Sequence, residues 1–268
     1  MRDNKRKFPR GISLALAALF WLAVWEAASL AVNLEFLLPS PVRVAERLAV
    51  LAREAEFWGA AGGSMLRVLL GFLFAFLAGV LGAALAFRFS PVAALLSPVL
   101  RIVKATPVAS FILLALVWIP SPGVPVFTSF LMVFPIVFGN VLSGMQSSDR
   151  NLIEMGRMYR FSPLSMLRQI YLPSIVPYLT AACGTGLGLA WKAGVAAEVL
   201  ANTRLSLGGK IYAAKIYFET PDLFAWTAVV IAMSVALEKL VLLLMRRLLR
   251  IFHLEAAHAD RGTPDKAL

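Results

Sequence analysis

Residues 65–87 read MLRVLLGFLFAFLAGVLGAALAF, an apolar run of the length that a helix needs to cross a lipid bilayer. A spanning helix takes about 20 residues, because it rises about 1.5 Å per residue across a hydrocarbon core about 30 Å thick. Backbone polar groups inside lipid must be paired within the segment, which a helix achieves. This stretch therefore predicts a transmembrane helix.

The composition extends that prediction to the whole chain. Hydrophobic residues make up 60% of its 268 residues and charged residues only 15%, whereas soluble proteins have about 45–50% and about 25%. The excess apolar surface must face lipid. Lys and Arg carry the net charge of +11, but they punctuate apolar runs and form no basic stripe. The charge therefore indicates membrane orientation and not nucleic-acid binding.

Residues suited to metal, redox or covalent chemistry are scarce. The single cysteine, Cys183, excludes a disulfide framework and a cysteine zinc cluster, and His253 and His258 are too few for a polyhistidine site. The pair Gly209-Lys210 is not set in a P-loop. The sequence also has no nucleophile elbow, no His-Glu-x-x-His and no paired inward carboxylates. We expect no catalytic site, no metal and no cofactor.

Six membrane crossings are predicted, and five of them are clear apolar runs. Beside 65–87, they are 11–33, 124–145, 176–200 and 223–245. The sixth, 93–119, contains Arg101, Lys104 and Pro107, so its lipid-buried part is expected over Thr106–Ile119. The first run follows a basic segment as a signal peptide would, but it is longer than the usual apolar region and has no small-x-small cleavage site. We interpret it as a retained helix.

The distribution of Lys and Arg sets the orientation, because short cytoplasmic loops carry an excess of both. With the N-terminus inside, the inner segments hold Arg2, Lys5, Arg6, Lys7, Arg10, Arg88, Arg101, Lys104, Arg150, Arg157, Arg160, Arg168, Arg246, Arg247 and Arg250. The outer loops hold Arg43, Arg47, Arg53, Arg204, Lys210 and Lys215. Both termini are therefore expected in the cytoplasm.

Residues 39–60 predict an amphipathic helix lying on the outer surface. Its apolar positions are Val44, Leu48, Leu51 and Ala55. We divide the chain into an N-terminal part with the first span and this helix (1–61), a transmembrane core (62–247) and a cytoplasmic tail (248–268).

The segment Asp149–Pro173, on the predicted inner side, predicts two short helices. At about 100° per residue, Leu152, Met155 and Tyr159 share one face of the first helix, and the charged residues take the opposite face. Ser162 followed by Pro163 is typical of a helix start. Pro173 and Pro177 are expected to bend the chain into the next span.

This segment resembles the cytoplasmic signature of the permease subunits of bacterial ATP-binding-cassette (ABC) importers. That signature is Glu-Ala-Ala, three residues, Gly, nine residues, then Ile-x-Leu-Pro. Glu154, Ile170, Leu172 and Pro173 match it at the required spacing, while Met155 and Gly156 replace the alanines and Arg160 replaces the glycine. Residues 98–107 and 188–198 are similar to the branch that imports nitrate, sulfonates and taurine.

The resemblance implies the type I importer permease fold: all-α, with six transmembrane helices and a cytoplasmic coupling helix. It implies a bacterial inner-membrane location and, as partners, a cytoplasmic ATPase dimer, an extracytoplasmic solute-binding protein and a second permease subunit, a copy or a close relative. The solute would be a small anion or organic acid. The residues expected to couple to the ATPase are Arg150, Glu154, Met155, Gly156, Arg157, Tyr159, Arg160, Ile170, Leu172 and Pro173.

Lys192 and Glu198 in the fifth span are candidate pathway residues, because a charge in a span usually faces a polar cavity or a partner. Lys192 would contact an anionic solute, or else it would snorkel or pair with Glu198, Glu26 or the other subunit. Gly184 and Gly188 predict a helix–helix or subunit interface. Pro107 and Pro135 are expected to permit bends in helices that line a pathway, or to be tolerated kinks.

Two rival functions remain open at this point. One is a secondary transporter driven by an ion gradient, for which only Lys192, Glu198 and Glu26 could serve as intramembrane ionisable residues. The other is a membrane scaffold without transport activity.

Overall fold

The computed structural model describes the backbone of residues 10–251 and the side chains of residues 16–245 and 247. Within these residues the secondary structure is helical. The helices are α1 (Arg10–Val32), α2 (Pro41–Leu51), α3 (Ala55–Arg88), α4 (Ser90–Ala105), α5 (Val108–Ala115), α6 (Val124–Gln146), α7 (Arg150–Met158), α8 (Pro163–Met166), α9 (Leu172–Leu200), α10 (Leu207–Ile216) and α11 (Thr220–Ile251). Residues 1–9 and 252–268, which include His253, His258 and most of the predicted C-terminal tail, lie outside the described residues.

Four helical stretches are long and apolar enough to cross a membrane, and they confirm four of the predicted spans. They are Ala55–Arg88, Ser121–Gln146, Pro163–Leu200 and Thr220–Met245. The bent pair α4 and α5 counts as one further, broken span. The described apolar part of α1, Leu16–Val32, is shorter than these four. The all-helical membrane fold is thereby confirmed.

The third crossing is not the single segment Thr106–Ile119 that the sequence predicts. Helix α4 ends at Ala105, Thr106 is extended with ψ 134°, and α5 covers only Val108–Ala115. The two helices meet at an angle of 104°. The ring of Pro107 disfavours helical geometry at the residue before it, so the helix breaks at Thr106.

The predicted outer helix is shorter than 39–60, and the second span is longer than predicted. Helix α2 ends at Leu51, and Ala55 already belongs to α3. Val44 and Leu51 are buried, as the amphipathic pattern predicts. Helix α3 is continuous across residues 61–62, and the division into 1–61, 62–247 and 248–268 stays a prediction.

Arg47 of α2 fastens the outer surface to the last span. Its guanidinium group donates two hydrogen bonds to the carboxylate of Asp222 at the start of α11, the one from Nη2 measuring 2.6 Å. These hydrogen bonds raise the pKa of Arg47. The residue therefore stays positively charged and holds α2 against α11.

Helix α6 lies at the centre, packed between α3 and α9. Glycines make the close approach possible: a Cβ atom on Gly71 of α3 would lie 2.5 Å from the carbonyl oxygen of Val126 in α6. A Cβ on Gly194 of α9 would lie 2.6 Å from Val68 and 2.7 Å from Ser129. The three helices thus form one tightly packed layer that fixes the position of the segments at both ends.

The segments 120–123 and 201–206 are hydrogen-bonded to each other at the end of the molecule opposite α7, and we call them the platform. Ser121 Oγ donates to the carbonyl of Ala201 over 2.6 Å, and Thr203 Oγ1 donates to the carbonyl of Ser121 over 3.2 Å. Because α6 and α9 run the length of the molecule between the two ends, this platform and α7 lie on opposite sides of the predicted membrane.

Candidate functional site

Helix α7 is a short, well-terminated helix. The side chain of Asp149 caps its start by accepting a hydrogen bond from the backbone N–H of Asn151 over 2.8 Å. At the other end Arg160 has a left-handed backbone, with φ 51°. The N–H of Phe161 then donates to the carbonyl of Gly156 over 2.8 Å, which is the hydrogen bond of a Schellman cap.

Gly156 forms the contact between α7 and the rest of the protein. It is buried, and a Cβ atom there would lie 2.5 Å from Sδ of Met166 and 3.1 Å from Cδ1 of Ile170. Ile170 is itself buried. Leu172 and Pro173 are half-buried in the first turn of α9. Gly156 therefore packs α7 on Ile170 of the signature, while Glu154 is exposed on α7.

Four apolar or aromatic side chains of the α7 segment are exposed to solvent. Met158 is 83% exposed and Tyr159 73%, with Leu152 and Met155 also open to solvent. The charged residues Arg150, Glu154, Arg157 and Arg160 surround them and are exposed as well. The sequence analysis did not single out Met158, although its position three residues after Met155 is the signal that places it on the same face as Met155.

The second helix of this segment begins where predicted but does not end where predicted. The Oγ of Ser162 accepts from the N–H of Ser165 over 3.2 Å, and Pro163 is the first helical residue. The chain then continues from α8 through the π-helical turn Leu167–Tyr171 into α9 as one helical stretch, with no break at Pro173 or Pro177. The N–H of Leu172 donates to the carbonyl of Leu167, five residues earlier. This wider π-helical turn, closed by Leu172, comes directly before Pro173, which has no backbone N–H to donate.

Lys192 lies on an exposed face of α9 and makes no ion pair with any residue that the structure describes. Gly184 and Gly188, on the same side, have no atom of another part of the chain within 4 Å of an added Cβ position. Within one described chain, these glycines therefore do not mediate packing between helices. The face they form with Lys192 is smooth and open.

Glu198 has a different environment, with its side chain 0% exposed. One carboxylate oxygen accepts from Ser64 Oγ over 2.7 Å and from the N–H of Gly208 over 3.1 Å. The other accepts from Arg67, 18% exposed, over 3.1 Å. This network joins α3, α9 and α10, and Glu198 pairs with Arg67 and not with Lys192.

None of the three partners of Glu198, which are Ser64, Arg67 and Gly208, is predicted from the sequence. The available signal was that Arg67 and Glu198 are opposite charges near the same predicted membrane surface, one in the second span and one in the fifth. A carboxylate removed from water needs a compensating partner, and Arg67 on α3 is the cation within reach of Glu198.

Comparison with known proteins agrees with this architecture. Residues 71–251 match the profile of the family described as binding-protein-dependent transport system inner membrane component. The chain is 27% identical over 247 residues to the taurine transport system permease protein TauC of Escherichia coli (strain K12), covering 88% of each protein.

Two further relatives have different named solutes. The riboflavin transport system permease protein RibX of Chloroflexus aurantiacus is 30% identical over 240 residues, covering 89% of this chain and 88% of the relative. The nitrate import permease protein NrtB of Leptolyngbya laminosa is 29% identical over 154 residues, covering 54% and 52%.

Among solved structures, an amino acid ABC transporter crystallised with histidines has a similar chain fold. The TM-score is 0.57 at 18% sequence identity, and the match covers 69% of this chain and 90% of that one. At this identity the likeness concerns the fold alone.

Proposed function

Because the chain belongs to the family of binding-protein-dependent transport system inner membrane components, we propose that it forms the solute pathway of an ATP-driven importer and couples that pathway to a separate ATPase through α7. This proposal rests on the exposed apolar face of α7, a helix that is held in place by the contact of Gly156 with Met166 and Ile170. Met158, Tyr159 and their neighbours have no partner among the described residues.

Helix α7 has the three properties that a force-transmitting contact needs. It is stiff, because it is capped at both ends. It has an apolar surface that burial against another protein would stabilise, surrounded by charges that fix the register. Finally, Gly156 packs it directly on the side chains of Met166 and Ile170, so a displacement of α7 would be transmitted to α9.

The family description implies the other components. We propose a cytoplasmic ATPase dimer beneath α7, a solute-binding protein at the outer platform of residues 120–123 and 201–206, and a second copy of this chain. Both termini lie in the cytoplasm of a bacterial cell in this arrangement, as the Lys and Arg distribution favours. ATP and the binding protein would each stabilise one state of the pathway by binding it more tightly.

The solute is proposed to be a small anion or organic acid such as nitrate, a sulfonate or taurine. Relatives named for taurine and nitrate transport support this class. A relative named for riboflavin is similarly close in sequence, so overall identity does not select among solutes, and the proposed preference for an anion rests on the charge of Lys192. Lys192, on the open face of α9, is the proposed pathway cation.

We propose that Glu198 holds α3, α9 and α10 in position and does not contact the solute. Its carboxylate is enclosed by Ser64, Arg67 and Gly208, which leaves it no access to a solute. The same enclosure disfavours the secondary transporter alternative, since that class needs intramembrane carboxylates that exchange ions with the pathway.

The coupling role is tested by Glu154→Lys. Glu154 is exposed and has no ion pair with the described residues, so its replacement removes no internal contact, while it reverses a charge on the docking face. We expect ATP-dependent uptake into proteoliposomes to be abolished with membrane insertion intact, and Glu154→Asp to retain uptake. Normal uptake by Glu154→Lys would contradict the assignment of α7.

The pathway role of Lys192 is tested by Lys192→Ala. Loss of a cation that faces the solute should raise the KM for uptake of an anion several-fold and leave the basal ATPase rate of the assembled complex unchanged. Lys192→Arg keeps the charge and should stay close to the unmodified protein. Identical uptake kinetics in all three proteins would make Lys192 a purely structural residue.

A further inference from the structure

A cavity of about 380 Å³ opens between α4, α6 and α9, in the half of the molecule nearer α7. Its polar lining consists of Lys104, Asn140, Ser143 and Tyr178, and Gly139 forms part of its wall. The volume falls within the range of about 300–1,000 Å³ that is usual for small-molecule sites. Lys104 lies in the last turn of α4, next to the bend of 104° between α4 and α5.

The polar groups of this cavity have hydrogen-bonding capacity to spare. Asn140 donates one amide hydrogen to the carbonyl of Ile136 over 2.8 Å, and its second N–H is left for a ligand. Among the described residues, none accepts a hydrogen bond from the hydroxyl of Ser143 or Tyr178, and none pairs with Lys104. Four residues with hydrogen-bond donors, one of them cationic, thus line one space.

The surrounding chain makes this space electropositive. No Asp or Glu occurs between Glu56 and Asp149, and none occurs between Glu154 and Glu198. The elements that build the cavity therefore supply no carboxylate to neutralise Lys104. Lys104 is exposed at the cavity, and an uncompensated ammonium group favours an anion and repels a cation.

We propose that this cavity binds the charged group of a small oxyanion, such as a sulfonate, with Lys104 as the ion-pair partner and Tyr178, Ser143 and Asn140 as hydrogen-bond donors. The inference rests on the proposed function, because it gives the inner half of the solute pathway a binding site. Three oxygens on a sulfonate match the several donors that line the cavity.

Methanesulfonate is a suitable probe, since its methyl protons report binding in saturation-transfer difference NMR. The full-length chain, purified in detergent without the ATPase, should bind methanesulfonate and not tetramethylammonium. Lys104→Gln should weaken binding at least tenfold, and Lys104→Arg should keep it. Gly139→Leu should also prevent binding, because no atom lies within 4 Å of an added Cβ at Gly139, so the side chain fills the cavity without a clash.

Two matched variants separate the cavity from general effects of charge and size. Lys239→Gln removes an exposed lysine from the inner part of α11, and Gly62→Leu fills open space on α3; both should bind methanesulfonate like the unmodified chain. The proposal is overturned if the unmodified chain does not bind, if Lys104→Gln binds equally well, or if tetramethylammonium binds as tightly. Displacement of methanesulfonate by phosphatidylglycerol would also overturn it, because the cavity would then hold a lipid headgroup.

This experiment is independent of the one on α7. Binding of methanesulfonate requires neither ATP nor the ATPase, so absence of binding with intact ATP-driven uptake would reject the cavity alone. Binding that depends on Lys104, in a protein whose uptake is insensitive to Glu154→Lys, would reject the coupling role of α7 alone.

Discussion

Arg160 holds a backbone conformation that L-residues rarely adopt, with φ 51°. A side chain in this region costs about 1–2 kcal/mol relative to glycine, which explains why the related signature has glycine at the position. The cost is met here because the cap is fixed by the hydrogen bond from Phe161 to Gly156 and by the buried packing of Gly156. Arg160 therefore differs from the glycine of the signature but adopts the left-handed conformation that glycine favours.

The network around Glu198 yields a stability prediction. Glu198→Ala leaves Arg67 without its carboxylate and the N–H of Gly208 without an acceptor. We expect a loss of about 3 kcal/mol in the free energy of unfolding, the lower end of the range for a broken buried pair because Arg67 keeps some contact with solvent. Ser64→Ala should cost less, since Glu198 keeps two of its partners.

Unfolding in mixed detergent micelles measures both effects, and a double-mutant cycle isolates the pair. The double variant Arg67→Met/Glu198→Met has neither charge, so no unpaired charge is left buried. Its loss in the free energy of unfolding should therefore be smaller than the sum of the losses in the two single variants. Additive losses would show that the two residues do not act as a pair.

Among the elements, the sequence predicts those whose ends are set by local signals. Ser162 and Pro163 determine where the second helix of the α7 segment starts, and the long apolar runs determine α3, α6, α9 and α11. The continuation of that helix through Leu167–Tyr171 was not predictable from the proline pattern, because a proline either bends a helix or is accommodated in it, and the local sequence does not decide which. The bend of 104° after α4 likewise depends on tertiary packing as well as on Pro107.

The contact at Gly156 predicts how α7 responds to added volume. Gly156→Leu must displace Met166 and Ile170, which lie 2.5 Å and 3.1 Å from the position of a Cβ. We expect this displacement of α7 to abolish ATP-dependent uptake in proteoliposomes, while the membrane spans still insert. Shortening the neighbour in Gly156→Leu/Met166→Ala should restore part of the uptake, because the flexible Met166 side chain is the nearest obstacle.

A matched control for this prediction is Gly62→Leu, which adds the same side chain where no atom lies within 4 Å of the Cβ position. It should transport normally. If Gly156→Leu also transports normally, the packing of α7 against Met166 and Ile170 is not required for coupling, and the prediction is wrong.

At the scale of the whole molecule, the described residues form two working ends joined by the layer of α3, α6 and α9. One end has the hydrogen-bonded platform of Ser121, Ala201 and Thr203, and the other has α7. The sequence predicts which segments lie at each end, from the run lengths and the basic residues. It does not predict the two ion pairs in the half of the molecule opposite α7, since Arg47–Asp222 and Arg67–Glu198 join residues far apart in the chain.

The orientation of these two ends is the last prediction. Cys183 is buried, so the protein provides a nearly unreactive background for introduced cysteines. Tyr159→Cys on α7 and Lys215→Cys on α10 both place a thiol at an exposed position, at opposite ends of the molecule. In intact cells a membrane-impermeant maleimide should label Lys215→Cys and not Tyr159→Cys, and in inside-out vesicles the pattern should reverse. Binding of the ATPase should then protect Tyr159→Cys, because docking covers the apolar face of α7. Labelling of Tyr159→Cys in intact cells would place α7 outside, where no ATPase can reach it, and both the orientation and the coupling role would have to be abandoned.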